Sequence, residues 1–138
     1  MILILNQEEA EQFMESLFHE RRFNLQGFCR EILQQGVRIV VVTNGAAGVT
    51  VATKEKWYFH PSIPVPVVNT LGAGDAFGSC FAASIYLGTS VPEAMTAGLL
   101  NSASVISYPD AKTGLLTQSQ LAEKRTTLDK KQLTESHW

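Results

Sequence analysis

The pattern of hydrophobic and polar positions changes period several times along the chain, and each change predicts an element. Residues 2 to 5, ILIL, form a short apolar run that stops at Asn6, as a strand would. Asn6 followed three positions later by Glu9 has the form of a capping box, so a helix is expected to open there. Ala10, Phe13, Met14, Leu17 and Phe18 then recur at helical spacing. A second helix is predicted from about Asn24 to Gln35, with Phe28, Ile32 and Leu33 inward and Gly36 as its stop. VRIVVVTNG, 37 to 45, is β-branched and does not alternate after Arg38. That pattern predicts a strand covered on both faces, central and parallel.

GVTVAT and KWYFH, separated by the charged KEK, read as an antiparallel hairpin. Pro61, Pro64 and Pro66 hold the following connection extended. From about Gly74 to Leu87 a helix is expected whose Ala, Ser, Cys and Gly content permits close backbone packing. Ser90 with Glu93 predicts another capped helix, reaching about Ser107, and Pro92 falls in its first turn where a missing donor is harmless. Residues 108 to 114, YPDAKTG, read as a loop, and Thr117 with Gln120 as the cap of a last short helix. Residues 122 to 138 are polar and without period, which predicts a frayed tail behind a domain at 1 to 121. Strands and helices in this order define an α/β fold.

Composition narrows the function. The 138 residues are 45% hydrophobic and 17% charged with a formal net charge of -2. That is a globular balance with no basic footprint for nucleic acid or an anionic membrane. No apolar run approaches the about 20 residues a membrane span needs, and MILILNQEE has neither a basic leader nor a cleavage site, so no signal peptide is expected. Cys29 and Cys80 stand far apart and read as buried, reduced cysteines of a cytoplasmic protein. His19, His60 and His137 have no metal-ligand spacing and read as surface or edge residues, so no metal site is expected from side chains alone.

The stretch that carries chemistry is NTLGAGDAF, 69 to 77. Gly72-Ala73-Gly74 directly before a helix leaves its first backbone N–H groups unshielded, and with the helix dipole these attract an anion the size of a phosphate. Asp75 beside that hole would repel the anion unless the site needs a base, and an alcohol attacking phosphorus must lose its proton. Asp75 as a helix cap behind a tight turn is the other reading, and spacing alone leaves both open. Gly72, Gly74 and Gly78 do not give the dinucleotide fingerprint, and Lys112-Thr113 precedes rather than follows its glycine, which excludes a Walker loop.

VVNTLGAGDAF resembles the C-terminal signature of the ribokinase family, also called the phosphofructokinase-B carbohydrate kinases, whose usual form is Asp-Thr-x-Gly-Ala-Gly-Asp. VVVTNGAAGVTV resembles the family's upstream strand and Gly-rich turn, and LLNSASVIS followed by AKTG its nucleotide-side helix and loop. The resemblance implies part of a three-layer α/β/α fold with a mostly parallel sheet. It also implies transfer of the γ-phosphoryl group of ATP, with Mg²⁺, to an alcohol group of a sugar or nucleoside. It assigns Asp75 as general base and Gly72, Ala73 and Gly74 as the anion hole. Thr43, Gly45 and Gly48 match the turn bordering the nucleotide, and Asn101 the helix position facing adenine, although a hydrogen-bonded core Asn is equally compatible. Lys112 and Gly114 match the adjacent loop, where Lys112 also reads as a solvated surface charge.

Two departures follow. Asn69 stands where the family usually has an Asp that in many members helps hold a monovalent cation. A neutral amide offers an oxygen but no charge, which argues against a K⁺ site near Asn69 and Leu71. Family members are also longer, and the N-terminal half that carries their sugar contacts and β-sheet lid has no counterpart here. The chain therefore resembles the nucleotide-side half of a kinase. Its expected partners are a nucleotide, a sugar or nucleoside, and either a complementary N-terminal half or further copies of itself. The alternative is a non-catalytic nucleotide-binding or scaffold protein that kept the fold.

Overall fold

A computed structural model describes residues 1–19, 22–128 and 132–138. The chain divides into two compact units, one of Met1–Phe59 with Thr134–Trp138 and one of His60–Leu133.

In the first unit β1 (Ile2–Asn6) leads straight into α1 (Gln7–Phe18), with Asn6 as the cap. The capping box is present: Glu9 N–H donates to Asn6 Oδ1 at 2.8 Å, and Asn6 N–H donates to Glu9 Oε2 at 2.8 Å. Helix α2 (Leu25–Gln34) is capped by Asn24, and Gly36 takes φ 94° after its end. β2 (Ile39–Thr43) pairs with β1 in parallel, from Ile2 opposite Ile39 to Asn6 opposite Thr43. A parallel pair needs a crossover, which α1 and α2 provide. A 3-10 turn at Gly45–Ala47 leads to β3 (Val49–Ala52), then β4 (Lys56–His60), and the sheet order is β1-β2-β3-β4-β5.

The hydrophobic core of this unit sets Ala10, Met14, Phe28, Cys29, Ile32 and Leu33 of the helices against Val40 and Val42 of β2. Val41 on the other face of β2 is also fully buried, as the unbroken β-branched run requires. The expectation that β2 is wholly parallel needs correction, because β3 runs antiparallel to it with Val41 opposite Val51. The short turn between β2 and β3 permits only that direction.

The expected frayed tail at 122–138 is also not what the described residues form; residues 129 to 131 lie outside them. β5 (Thr134–His137) pairs antiparallel with β4, from Lys56 opposite His137 to Phe59 opposite Thr134. An ion pair joins Lys56 to Glu135. Trp138 packs edge-on against Trp57 with ring centroids 5.5 Å apart, and its indole N–H donates to the Thr53 carbonyl at 2.7 Å. β4 offers an open edge that a polar segment satisfies through its backbone.

In the second unit α3 (Ala73–Tyr86), α4 (Val91–Val105) and α5 (Gln118–Thr127) follow the extended Pro-rich connection. Close packing of α3 on α4 rests on Gly98, where a Cβ would fall 2.8 Å from the Phe77 ring. Ser90 with Glu93 and Thr117 with Gln120 open α4 and α5 as expected. Glu93 is held below the usual carboxylate range, first by the Ser90 hydroxyl and then by Arg125, whose guanidinium lies 2.8 Å away.

His60 is 3% exposed and not a surface residue; its Nδ1 donates to the Pro61 carbonyl at 2.7 Å, which lets a buried ring find a partner. Cys29 is buried as expected and Cys80 half-buried.

Candidate phosphate site at the start of helix α3

Gly72 caps α3 with φ 80° and ψ 0°, a left-handed conformation that glycine adopts without strain. Among the described residues no side chain caps this helix. The Ala73 N–H turns back to the Thr70 carbonyl at 3.2 Å, and the Ala76 N–H to the Gly72 carbonyl at 2.8 Å. Among the described residues the N–H groups of Gly74 and Asp75 have no acceptor. Gly74 and Asp75 are exposed, and among the described residues a Cβ placed on Gly74 would meet nothing within 4 Å, so this end of the helix is open. Donors, dipole and open space fit the oxygens of a phosphate.

Asp75 is the third residue of α3, exposed, and its carboxylate has no hydrogen-bond or charge partner among the described residues. Only its backbone carbonyl is engaged, by the Ser79 hydroxyl at 2.7 Å. The cap reading for Asp75 therefore loses its geometry: the cap is Gly72.

The loop at 108–114 lies against this turn. A Cβ on Gly72 would fall 2.6 Å from Ala111 Cβ. Within the loop, Asp110 accepts from the Lys112 and Thr113 N–H groups at 2.8 and 2.6 Å and from the Thr113 hydroxyl at 2.7 Å. These bonds, the Thr113 amide first, hold the Asp110 carboxyl below its ordinary range. Gly114 has φ 95°, and a Cβ there would fall 2.5 Å from Tyr108 Cδ2 and 2.8 Å from the Ser104 carbonyl. Lys112 is exposed and its ammonium has no partner among the described residues.

Asn101 is 5% exposed, with both ends of its amide used: Nδ2 donates to the Ala76 carbonyl and Oδ1 accepts from the Leu116 N–H, each at 2.9 Å. It braces α4 to α3 and to the end of the connection that leads to α5. Asn69 spans the turn and the loop, since Oδ1 accepts from the Leu71 N–H and Nδ2 donates to the Pro109 carbonyl, each at 2.9 Å.

Thr43, Gly45 and Gly48 belong to the other unit, so the candidate residues fall on both. Thr43 ends β2, and the turn closes with Asn44 N–H on the Gly48 carbonyl at 2.8 Å. Gly45 and Gly48 have φ 47° and 116°. Asn44 reaches from this turn to Gln7 at the start of α1. Sequence reasoning missed the bridging amide of Asn69 and the loop-organising Asp110. The Asp110-x-x-Thr113 spacing carried a local signal for the second; nothing in the sequence marked the Asn69–Pro109 bond.

The fold is α/β, with an open helix start at Gly72 and an acid near it that has no partner among the described residues. The chain belongs to the pfkB family of carbohydrate kinases, whose family profile matches residues 1–118. Among curated proteins it is 36% identical over 81 residues to a fructokinase from Rhizobium leguminosarum, covering 56% of this chain and 25% of that protein. It is 26% identical over 121 residues to a 5-dehydro-2-deoxygluconokinase from Bacillus anthracis, covering 87% of this chain and 36% of that protein. Ribokinase from Thermotoga maritima superposes with a TM-score of 0.82 at 25% identity, over 91% of this chain and 42% of that one. The chain thus spans a quarter to about a third of the length of these curated relatives. Among the described residues no helix is long and apolar enough to cross a membrane.

Proposed function

We propose that the chain supplies the nucleotide-side part of an ATP-dependent sugar or nucleoside kinase. The observation that carries this reading is the unpartnered Asp75 carboxylate at a helix start whose Gly74 and Asp75 amides are open. Those amides, in the frame of Gly72, Ala73 and Gly74, take the oxygens of the transferring phosphoryl group. Preorganised donors of this kind contribute about 10²–10³ in rate each. Asp75 takes the proton of the acceptor hydroxyl as its oxygen bonds to phosphorus, while the bond to the ADP oxygen breaks. ATP bound with Mg²⁺ supplies the phosphoryl group. The family resemblance gives Thr43, Gly45 and Gly48 the turn bordering the nucleotide, Lys112 and Gly114 the adjacent loop, and Asn101 the helix position facing adenine.

Acceptor contacts and a lid come from a complementary segment or a further copy of the chain, since transfer needs the hydroxyl held beside the phosphoryl group with water excluded. The half-buried β1, at one edge of the sheet, is a surface on which such a partner adds. The compartment expected for the chain is the cytoplasm, where unpaired cysteines such as Cys29 and Cys80 stay reduced.

Calorimetry with MgADP and a kinase assay on a panel of sugars and nucleosides, with the complementary segment supplied, test the reading. MgADP should bind weakly, Gly74→Val should abolish binding, and Asp75→Asn should keep affinity while transfer falls by about 10²–10⁴. Equal turnover by Asp75→Asn and parent refutes the general base. MgADP binding with no transfer by the completed protein would favour the non-catalytic nucleotide-binding alternative.

A further inference from the structure

We infer that Asn69 is a positioning residue, whose neutral amide clamps the 108–114 loop to the phosphate-site turn and so makes nucleotide binding independent of monovalent cations. The inference rests on the kinase reading, because it concerns how the same site is held in register.

The orientation of the amide is fixed by its partners. The Leu71 N–H can only donate and the Pro109 carbonyl can only accept, so Oδ1 faces the first and Nδ2 the second, each at 2.9 Å. The same two segments are joined by their backbones, with the Val68 and Asn69 N–H groups on the Ile106 carbonyl at 2.8 and 3.2 Å. They also touch where Ala111 meets Gly72.

Loop 108–114 is stiff in itself, through the three bonds to Asp110 and the seat of Gly114 against Tyr108 and Ser104. A stiff loop moves as a body. Its Gly114 end rests on Ser104 of α4; the side-chain bond that ties its Pro109 end to the phosphate-site turn, and with it sets where Lys112 stands relative to the open amides of α3, is Asn69 to Pro109.

The chemistry of the bridge sets a signature that simple loss of stability would not produce. A carboxylate at position 69 keeps the acceptor for Leu71 but replaces the donor facing Pro109 with a second oxygen. Two oxygens at hydrogen-bond distance with no hydrogen between them repel, and a bound Na⁺ or K⁺ relieves the repulsion. The parent amide needs no such ion, because its own N–H occupies the gap.

The test measures MgADP affinity for the parent, Asn69→Asp, Asn69→Ala and Asn69→Ser in K⁺ and in tetramethylammonium, which is too large to enter. The parent should bind equally in both salts. Asn69→Ala and Asn69→Ser should bind about tenfold more weakly in both, the scale of one lost hydrogen bond. Asn69→Asp should bind about tenfold more weakly in tetramethylammonium and recover most of that in K⁺. An Asn69→Ala that binds as the parent does, an Asn69→Asp indifferent to the salt, or a parent that needs K⁺ overturns the inference. Amide hydrogen exchange on the ligand-free protein separates this from the kinase reading. Exchange across 107–114 should rise by about tenfold in Asn69→Ala. If it rises while the parent binds no MgADP, the clamp stands and the kinase reading falls; if it does not rise, the clamp falls whatever the nucleotide result.

Discussion

Gly72→Ala puts one methyl group where the turn of the phosphate site meets the 108–114 loop, and the structure separates its cost into two parts. The backbone there has φ 80°, and holding an L residue in the left-handed region costs roughly 1–2 kcal/mol. The new Cβ would lie 2.6 Å from Ala111 Cβ and 3.2 Å from Ala111 Cα, well inside the carbon–carbon optimum of about 3.5–4.0 Å. Overpacking of this kind costs about 1–3 kcal/mol. The sum, about 2–5 kcal/mol, is a large share of the about 5–15 kcal/mol that holds a typical domain together.

Ala111→Gly removes the methyl that is struck. In the double variant the steric part should largely disappear while the left-handed part stays, so urea unfolding of the four proteins should give a favourable coupling of about 1–3 kcal/mol. Gly74→Ala is the internal control. Its Cβ meets nothing within 4 Å, and glycine inside a helix is worse than alanine by roughly 0.5–1 kcal/mol, so this variant should gain stability while Gly72→Ala loses it. Additive costs for Gly72→Ala and Ala111→Gly, or a Gly74→Ala that destabilises as much as Gly72→Ala, would refute the account of the turn.

Three further outcomes follow from the packing. Burial pushes the Cys29 thiol up to about 12 from 9.0. Its contribution to stability is therefore whole below the unfolded thiol's value and is lost as pH rises from there through about 12; native alkylation should modify Cys80 before Cys29, and the reverse order overturns the assignment. Trp138→Ala removes the indole bond to Thr53 and the contacts with Trp57 and Arg30, and should cost about 2 kcal/mol, below the about 3–5 of a fully buried Trp; an unchanged melting temperature would show that β5 is not anchored this way. Asn101→Ala leaves the Leu116 N–H without its acceptor and should cost about 1–3 kcal/mol in thermal unfolding, a loss under a few tenths of a kcal/mol ruling out the brace.

What could be read from the sequence was what short spacing decides. Asn6 with Glu9 and Thr117 with Gln120 announce helix starts because each pair satisfies orphan amides three residues away. Within the run at 37–45, the stretch 39–42 announces a doubly covered strand because no polar residue interrupts it. Roles set by distant partners stayed hidden. TESH has no apolar alternation and a single β-branched residue, Thr134, and it is a strand because the edge of β4, some 80 residues earlier, is free to pair. His60 reads as polar at the end of a strand, and the Pro61 carbonyl that meets its Nδ1 offsets its burial. The Asn69–Pro109 bond spans 40 residues, so an amide that replaces the family's acid looked like a loss, not a different kind of link.

Asp75 lies between these cases, because its position was legible and its role was not. An acid in the first turn of a helix is favourable on dipole grounds alone, by about 0.3–1 kcal/mol, so its presence in the sequence proves nothing about chemistry. The geometry narrows the choice: Gly72 is the cap, and the Asp75 carboxylate bonds no backbone amide among the described residues. Structural use of Asp75 is then limited to the dipole, and Asp75→Asn can lose no more than that in stability. A fall of about 10²–10⁴ in transfer corresponds to roughly 3–5 kcal/mol at the barrier, which exceeds anything the dipole supplies. Measuring both quantities on one variant therefore separates an acid retained for the helix from an acid retained for a proton.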